Sequence, residues 1–227
     1  MCAISGSFDP KKLAELCKAN EYRGTHSHSL ALFDCRDLEL IGVERKLGPM
    51  NYDHISTMKK YPNNEVYYIA HQQAPTGAQT TKKCIHPAVK HTYSDYEELI
   101  NSEYLYHNGI LKDKQIEKLQ EEYNVDANWD TYLLLLELSR EIPYKKIDID
   151  GSFACLYIKS WQYPKLFRNA MCPMFVDDEL NVSSTKFSES RSIKANTVYT
   201  MNFNGDKLSL HEDFSFKTKN MPYYIEE

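Results

Sequence analysis

Strand-type segments stand at both ends of the chain with helix-type segments between them, an order that points to an α+β layered domain. At the start, residues 2–5 form a short apolar strand stopped by Gly6. Residues 10–19 read as a helix, with Asp9 in the N-cap place, Pro10 at the first position, and Leu13, Leu16 and Cys17 recurring at helical spacing. Residues 29–34 and 40–44 read as a hairpin, residues 51–61 as a short helix ended by Pro62, and residues 65–71 (EVYYIAH) as a buried strand rich in β-formers. Residues 74–90 read as a loop containing Pro75, Gly77 and Pro87. A strand at 103–106 runs into His107-Asn108-Gly109. Two amphipathic helices are expected at 112–123 and 130–141, the second capped by Asp130. Residues 151–159 form a strong strand signal, residues 165–170, 174–176 and 181–184 suggest three more, and residues 198–203 and 207–211 form a hairpin about Asn204-Gly205.

Composition narrows the function classes. A chain of 227 residues can build one sizeable core, and with no repeat or linker residues 2–227 are expected to be a single domain. The net charge is −5 and no basic tail exists, which argues against nonspecific nucleic-acid binding. The longest aliphatic run is the four leucines at 133–136, too short for a membrane span, and the start lacks the basic and apolar segments of a secretory signal. Six scattered cysteines without a CxxC pair suit reduced thiols and a cytoplasmic location. Neither GxxxxGK[ST] nor GxGxxG occurs, so no phosphate or dinucleotide cofactor is expected. Cys84, His86 and His91 match no standard zinc spacing, so no metal is expected either.

Two short segments carry reactive potential. If Met1 is removed, Cys2 presents a thiol and a free α-amine on one residue. The α-amine, with a reference pKa of about 7.7–8.0, can take a proton near neutral pH and generate a thiolate nucleophile. The plain alternative is a processed cysteine with no role. The side-chain amide of Asn108 and the backbone N–H of Gly109 can converge on one oxygen as an oxyanion hole. The plain alternative is a turn, since Asn-Gly is a common turn dipeptide.

In chain order these segments resemble the class II glutamine amidotransferases of the N-terminal nucleophile hydrolase superfamily. MCAISG resembles the family's MCGIxG start, and Glu21-Tyr22-Arg23-Gly24 resembles the EYRG of the glutaminase domains of glucosamine-6-phosphate synthase and phosphoribosylpyrophosphate amidotransferase. AHQQAPTG at 70–77 resembles AHxRxxT, and Ile85-His86-Pro87 an AHP-like stretch. LYHNGI at 105–110 resembles VHNGI, Trp129-Asp130-Thr131 an SDTE-like helix start, and GSFA at 151–154 a G[AS][YF]A strand. Residues 196–210 resemble the family's closing hairpin.

The resemblance implies a four-layer αββα sandwich of two antiparallel sheets. It implies that Cys2 attacks the side-chain amide of glutamine, that its α-amine serves as base, and that Asn108 and Gly109 stabilise the oxyanion. It assigns the substrate α-ammonium to Asp130 and places Thr76 and His86 where they line or support the pocket. The family's carboxylate-binding arginine falls at Gln73, and a neutral amide cannot give the charged bidentate pairing of a guanidinium. Arg23, Lys82 and Lys83 are the candidates to supply that charge. Ala3 in place of glycine and His26 in place of an acid alter the same pocket wall. The implied function is a stand-alone glutaminase subunit that releases ammonia for a separate synthetase or transferase chain, with no nucleic-acid or membrane partner. The alternatives are an amidohydrolase acting on another γ-glutamyl amide, and a binding or regulatory module with a degenerate site.

Overall fold

The computed structural model describes residues 2–74, 84–94, 97–127, 129–203 and 208–218. Its first sheet contains β1 (Ala3–Ser7), β2 (Ser27–Asp34), β3 (Glu39–Leu47), β4 (Val66–Gln73), β9 (Phe175–Val176), β10 (Val182–Ser183) and β11 (Arg191–Ser192), in the order β11-β9-β10-β1-β4-β2-β3. The second contains β5 (Ala88–Ser94), β6 (Glu97–Leu111), β7 (Gly151–Lys159), β8 (Lys165–Arg168), β12 (Thr197–Asn202) and β13 (Ser209–Ser215), in the order β13-β12-β8-β7-β6-β5. Every strand pair described is antiparallel.

Apolar alternation explains how the sheets stack. Tyr67 and Ile69 of β4 meet Ile4, Phe33, Tyr106, Leu156 and Met201 in a core between the two sheets. The intervening residues Val66, Tyr68 and Ala70 point the other way, onto Leu13 and Cys17 of α1 (Pro10–Ala19) and Ile55 of α2 (Tyr52–Ser56). On the far face of the second sheet, Leu105, Phe153 and Cys155 pack against Leu119 of α3 (Asp113–Tyr123) and Leu133, Leu134 and Leu138 of α4 (Asp130–Glu141). Three cores between four layers give an αββα sandwich. Each large aliphatic side chain buried in them contributes about 1.5–3 kcal/mol.

Local chemistry accounts for several element ends. Asp9 Oδ1 accepts the Lys11 N–H at 2.8 Å, and Pro10 opens α1 as its residue types require. The expected 51–61 helix is only one turn and a half. Asn51 caps it, and the Ser56 and Thr57 hydroxyls then donate back to the carbonyls of Asp53 and His54 at 2.8 Å, which ends the helix well before Pro62.

Other expectations are corrected. β1 runs through Gly6, which pairs with Ile69 on one side and Val182 on the other. His107-Asn108-Gly109 is no turn: it lies inside β6, with Asn108 opposite Ala154 and Gly109 opposite Phe153. Asp130 is the first residue of α4, and Trp129 holds the N-cap place. β5 occupies part of the expected 74–90 loop. The pairing of β12 with β13 matches the expected closing hairpin, while its Asn204-Gly205 turn lies outside the described residues. Among the described residues no helix is long and apolar enough to cross a membrane.

Candidate active site

The site assembles at the head of β1, the middle strand of the first sheet. Pairing of Ala3 with Gln72 sets Cys2 beside the end of β4, where its thiol lies 3.8 Å from the Ala74 carbonyl oxygen. Burial pushes the Cys2 thiol up to about 11, with the charge of Asp130 adding to the rise and that of Arg23 opposing it. Both charges therefore act at this sulfur.

Arg23 reaches Cys2 because of how α1 ends. The C-cap residue Asn20 is fully buried, and its Nδ2 donates to Ser5 Oγ at 3.0 Å and Ser183 Oγ at 2.8 Å. Its Oδ1 accepts the Thr185 hydroxyl at 2.7 Å. These bonds clamp the helix end to β1 and β10, so the single 3-10 turn Glu21–Arg23 that follows is held in place. From that turn Arg23 donates Nε–H to the Cys2 carbonyl oxygen at 2.9 Å. Gly24 then passes so close to β4 that a Cβ would stand 2.4 Å from the Gln73 carbonyl carbon. His26 N–H donates to the Gln73 carbonyl at 3.1 Å and seals the approach. Residues 21–26 and Ala74 line a cavity of about 550 Å³ whose lining does not include Cys2 and which Cys2 meets only through its contacts with Arg23 and Ala74.

Asn108 enters from the second sheet. Its Nδ2 donates to Ser184 Oγ at 3.4 Å, and the same hydroxyl oxygen accepts the Ile4 N–H at 3.0 Å. One serine thus joins the oxyanion candidate to the strand that carries Cys2. Gly109 has φ +157°, and a Cβ there would fall 1.9 Å from the Ser152 carbonyl oxygen. No residue with a side chain fits that backbone as it stands.

His107 holds this stretch from four directions. Its N–H donates to His86 Nδ1 at 3.3 Å, and its carbonyl accepts His71 Nε2–H at 3.1 Å. Its ring spans Ser152 O at 3.3 Å and Thr131 Oγ1 at 3.2 Å. Asp130 accepts the Thr131 N–H at 2.7 Å and the Leu111 N–H at 3.3 Å, which fixes its carboxylate against β6. Burial lowers all three histidines, His71 to about 3 and His86 well below its usual range, while His107 is also pulled upward by Asp130. His86 lies behind the strand, stacked on His71 and edge-on to Trp129.

Of the sequence-predicted residues, Arg23 bonds Cys2 directly, Asp130 acts on the Cys2 thiol through its charge, and Asn108 is tied to β1 through Ser184 and the Ile4 N–H. Gly109 follows Asn108 in β6. His86 supports the site from beneath. Gln73 is buried and accepts the Ser27 hydroxyl at 3.2 Å. Thr76, Lys82 and Lys83 lie outside the described residues. Sequence reasoning missed Asn20 and Ser184, and it quoted His71 and His107 within motifs without giving either a role. Asn20 had one readable signal, its place directly after a well-formed helix pattern.

A four-layer αββα sandwich with the first strand central in its sheet is the N-terminal nucleophile hydrolase fold. Among solved structures, the chain is similar to glutamine phosphoribosylpyrophosphate amidotransferase from B. subtilis complexed with ADP and GMP, with a TM-score of 0.62 and 13% identity, over 93% of this chain and 49% of that one. It is equally similar to a structure described as the allosteric regulatory enzyme of purine biosynthesis, with a TM-score of 0.62 and 14% identity, over 94% and 49% of the two chains. The chain spans about half the length of these structures, and at such identities the likeness is one of fold. No protein-family model and no curated protein matches the sequence.

Proposed function

We propose that this chain is a glutamine amidotransferase-type amidohydrolase that uses Cys2 as its nucleophile once Met1 has been removed. The Cys2 sulfur attacks the side-chain amide carbon of glutamine, and the freed α-amine of Cys2 takes the thiol proton. Asn108 and the Gly109 N–H meet the oxyanion, and Asp130 meets the α-ammonium. The carbon–nitrogen bond then breaks, the α-ammonium returns its proton to the leaving ammonia, and a γ-glutamyl thioester remains. Water cleaves the thioester to glutamate and regenerates the thiol. In this reading the ammonia serves a separate synthetase or transferase, and the protein works in the cytoplasm, where Cys2 stays reduced.

The observation that carries the reading is the junction at Ser184, which ties Asn108 to β1 two residues from a cysteine exposed to the charges of Asp130 and Arg23. Gln73 favours a second reading on the same machinery, in which the substrate is another γ-glutamyl amide. Intact-mass measurement and glutamate release from glutamine test both. We expect a processed N-terminus and a release that vanishes in Cys2→Ala. Turnover of γ-glutamyl amides without turnover of glutamine would select the second reading. An active protein that retains Met1, or a Cys2→Ala variant as active as the parent, would overturn the Cys2 mechanism in both readings, and a protein that retains Met1 and turns over neither substrate would leave a binding module.

A further inference from the structure

We propose that the protein holds a water molecule between its two sheets, on Ser29, His71 and Tyr106, and that this water steadies the stretch carrying Asn108. The site itself is independent of any reaction, and only the steadying role rests on the amidohydrolase reading. Three buried polar atoms carry the proposal. Ser29 Oγ, His71 Nδ1 and the Tyr106 hydroxyl belong to wholly buried side chains, and none of them has a hydrogen-bond partner among the described residues. The ladders bring them to one place. His71 stands opposite Ser29, and Ser29 stands opposite Arg45. Residues opposed in an antiparallel ladder share a face. Alternation with Ala31 and Ile69 turns this row toward the second sheet. Tyr106 enters from that sheet, with its ring centroid 6.3 Å from that of His71.

Ser29 is the shortest side chain in its row, between His71 and Arg45. The Arg45 head is drawn elsewhere: Nε–H donates to Ile85 O at 3.1 Å and Nη2–H to Pro87 O at 3.0 Å. Its charge still acts at the Tyr106 hydroxyl. The chemistry of the three atoms selects the ligand. His71 gives its Nε2–H to His107 O at 3.1 Å, so Nδ1 presents a bare lone pair. That lone pair needs a donor and repels an anion, while a cation is disfavoured beside Arg45. The two hydroxyls can each donate or accept. One small neutral molecule that does both satisfies all three atoms, and buried waters typically make about three hydrogen bonds to groups that the protein leaves unpaired. The water closes a chain from Ser29 through His71 to the carbonyl of His107, and the next residue is Asn108. Ser29 and His71 are therefore positioning residues.

Crystallography of the full chain, with melting curves of two variants, tests the site. The crystal structure should show one ordered water within hydrogen-bond distance of Ser29 Oγ, His71 Nδ1 and the Tyr106 hydroxyl. Ser29→Ala and Tyr106→Phe each remove one of its partners, and each should melt about 2–4 °C below the parent. A dry site behaves in the opposite way, because deleting an unpaired buried hydroxyl raises the melting temperature. No water at the three atoms, or variants that melt at or above the parental temperature, would overturn the site. The parent crystal alone keeps the test standing if neither variant folds. Both variants should also lower kcat for amide turnover about 3–10-fold with KM unchanged, since slack at His107 reaches the oxyanion donor. Parental kcat in both variants would overturn the steadying role and leave the water site. A parent that holds the water and turns over no amide would defeat the amidohydrolase reading alone.

Discussion

His71 and His86 stack with ring centroids 3.8 Å apart and planes inclined by 24°. Both are fully neutral partners in this arrangement, since His71 donates Nε2–H to His107 O and His86 accepts the His107 N–H. Protonating either would place a charge in a dry layer against the other ring. The folded His71 is therefore lowered from 6.5 to about 3, and His86 moves the same way. The unfolded chain binds these protons near pH 6.5 and the folded chain does not. Stability is full above that pH and falls as the pH drops from about 6.5 toward 3, by up to about 1.4 kcal/mol per pH unit for each such histidine. Urea unfolding across this range measures the slope, and His71→Gln should lower it by close to one proton. A flat profile between pH 6.5 and 4 would contradict the buried neutral pair.

Ser184 has one hydroxyl oxygen shared by Ile4 N–H and Asn108 Nδ2. Asn108→Ala should lower turnover about 10²–10³-fold if the amide meets the oxyanion, with little change in KM. Ser184→Ala strips the buried Ile4 N–H of its acceptor and should cost about 1–3 kcal/mol of stability. It should also reduce kcat, because Asn108 loses its positioning contact. A Ser184→Ala enzyme of parental kcat would separate the serine from the site.

How far these features could be read from the residues alone depended on whether local chemistry determined them. The α1 helix was legible because its cap, its proline and its apolar spacing all agree, and β7 because residues 151–159 are β-formers throughout. The Asn108-Gly109 pair carried a turn signal that the pairing with Ala154 and Phe153 overrode, since β7 offers a full ladder and Gly109 tolerates its conformation. β5 was hidden for a similar reason: it follows Pro87, mixes Lys90 and His91 with apolar residues, and becomes a strand only because β6 lies beside it. Arg23 was legible as part of the EYRG segment and as a candidate to replace the charge missing at Gln73, but its placement was not. Its burial follows from Asn20 anchoring the end of α1, a contact made with residues some 160 positions away.

Gly109→Ala should be the most damaging small substitution in the site. The methyl would meet the Ser152 carbonyl at 1.9 Å and the His107 ring at 2.7 Å, on a backbone with φ +157°. β6 and β7 would have to part at Gly109, beside the Asn108 proposed to meet the oxyanion. A loss on the order of 3–5 kcal/mol is expected, seen as a large drop in soluble yield and melting temperature. A variant that melts like the parent would mean that the two strands separate there without cost.

The protonation of Cys2 separates a nucleophile from a bystander. Burial disfavours its thiolate, so below the raised value of about 11 the reactive fraction falls tenfold for each pH unit. With Met1 retained, iodoacetamide labelling of Cys2 should therefore climb about tenfold per unit from pH 7 to pH 10. Removing Met1 places an amine of reference pKa about 7.7–8.0 on the same residue, able to take the thiol proton. The processed form should then react faster at neutral pH and level off near pH 8. The two forms can be separated by mass after partial inhibition of methionine removal, and their rate–pH profiles compared. Coincident profiles would show that the α-amine does nothing to the sulfur, and the general base of the proposed reaction would be lost.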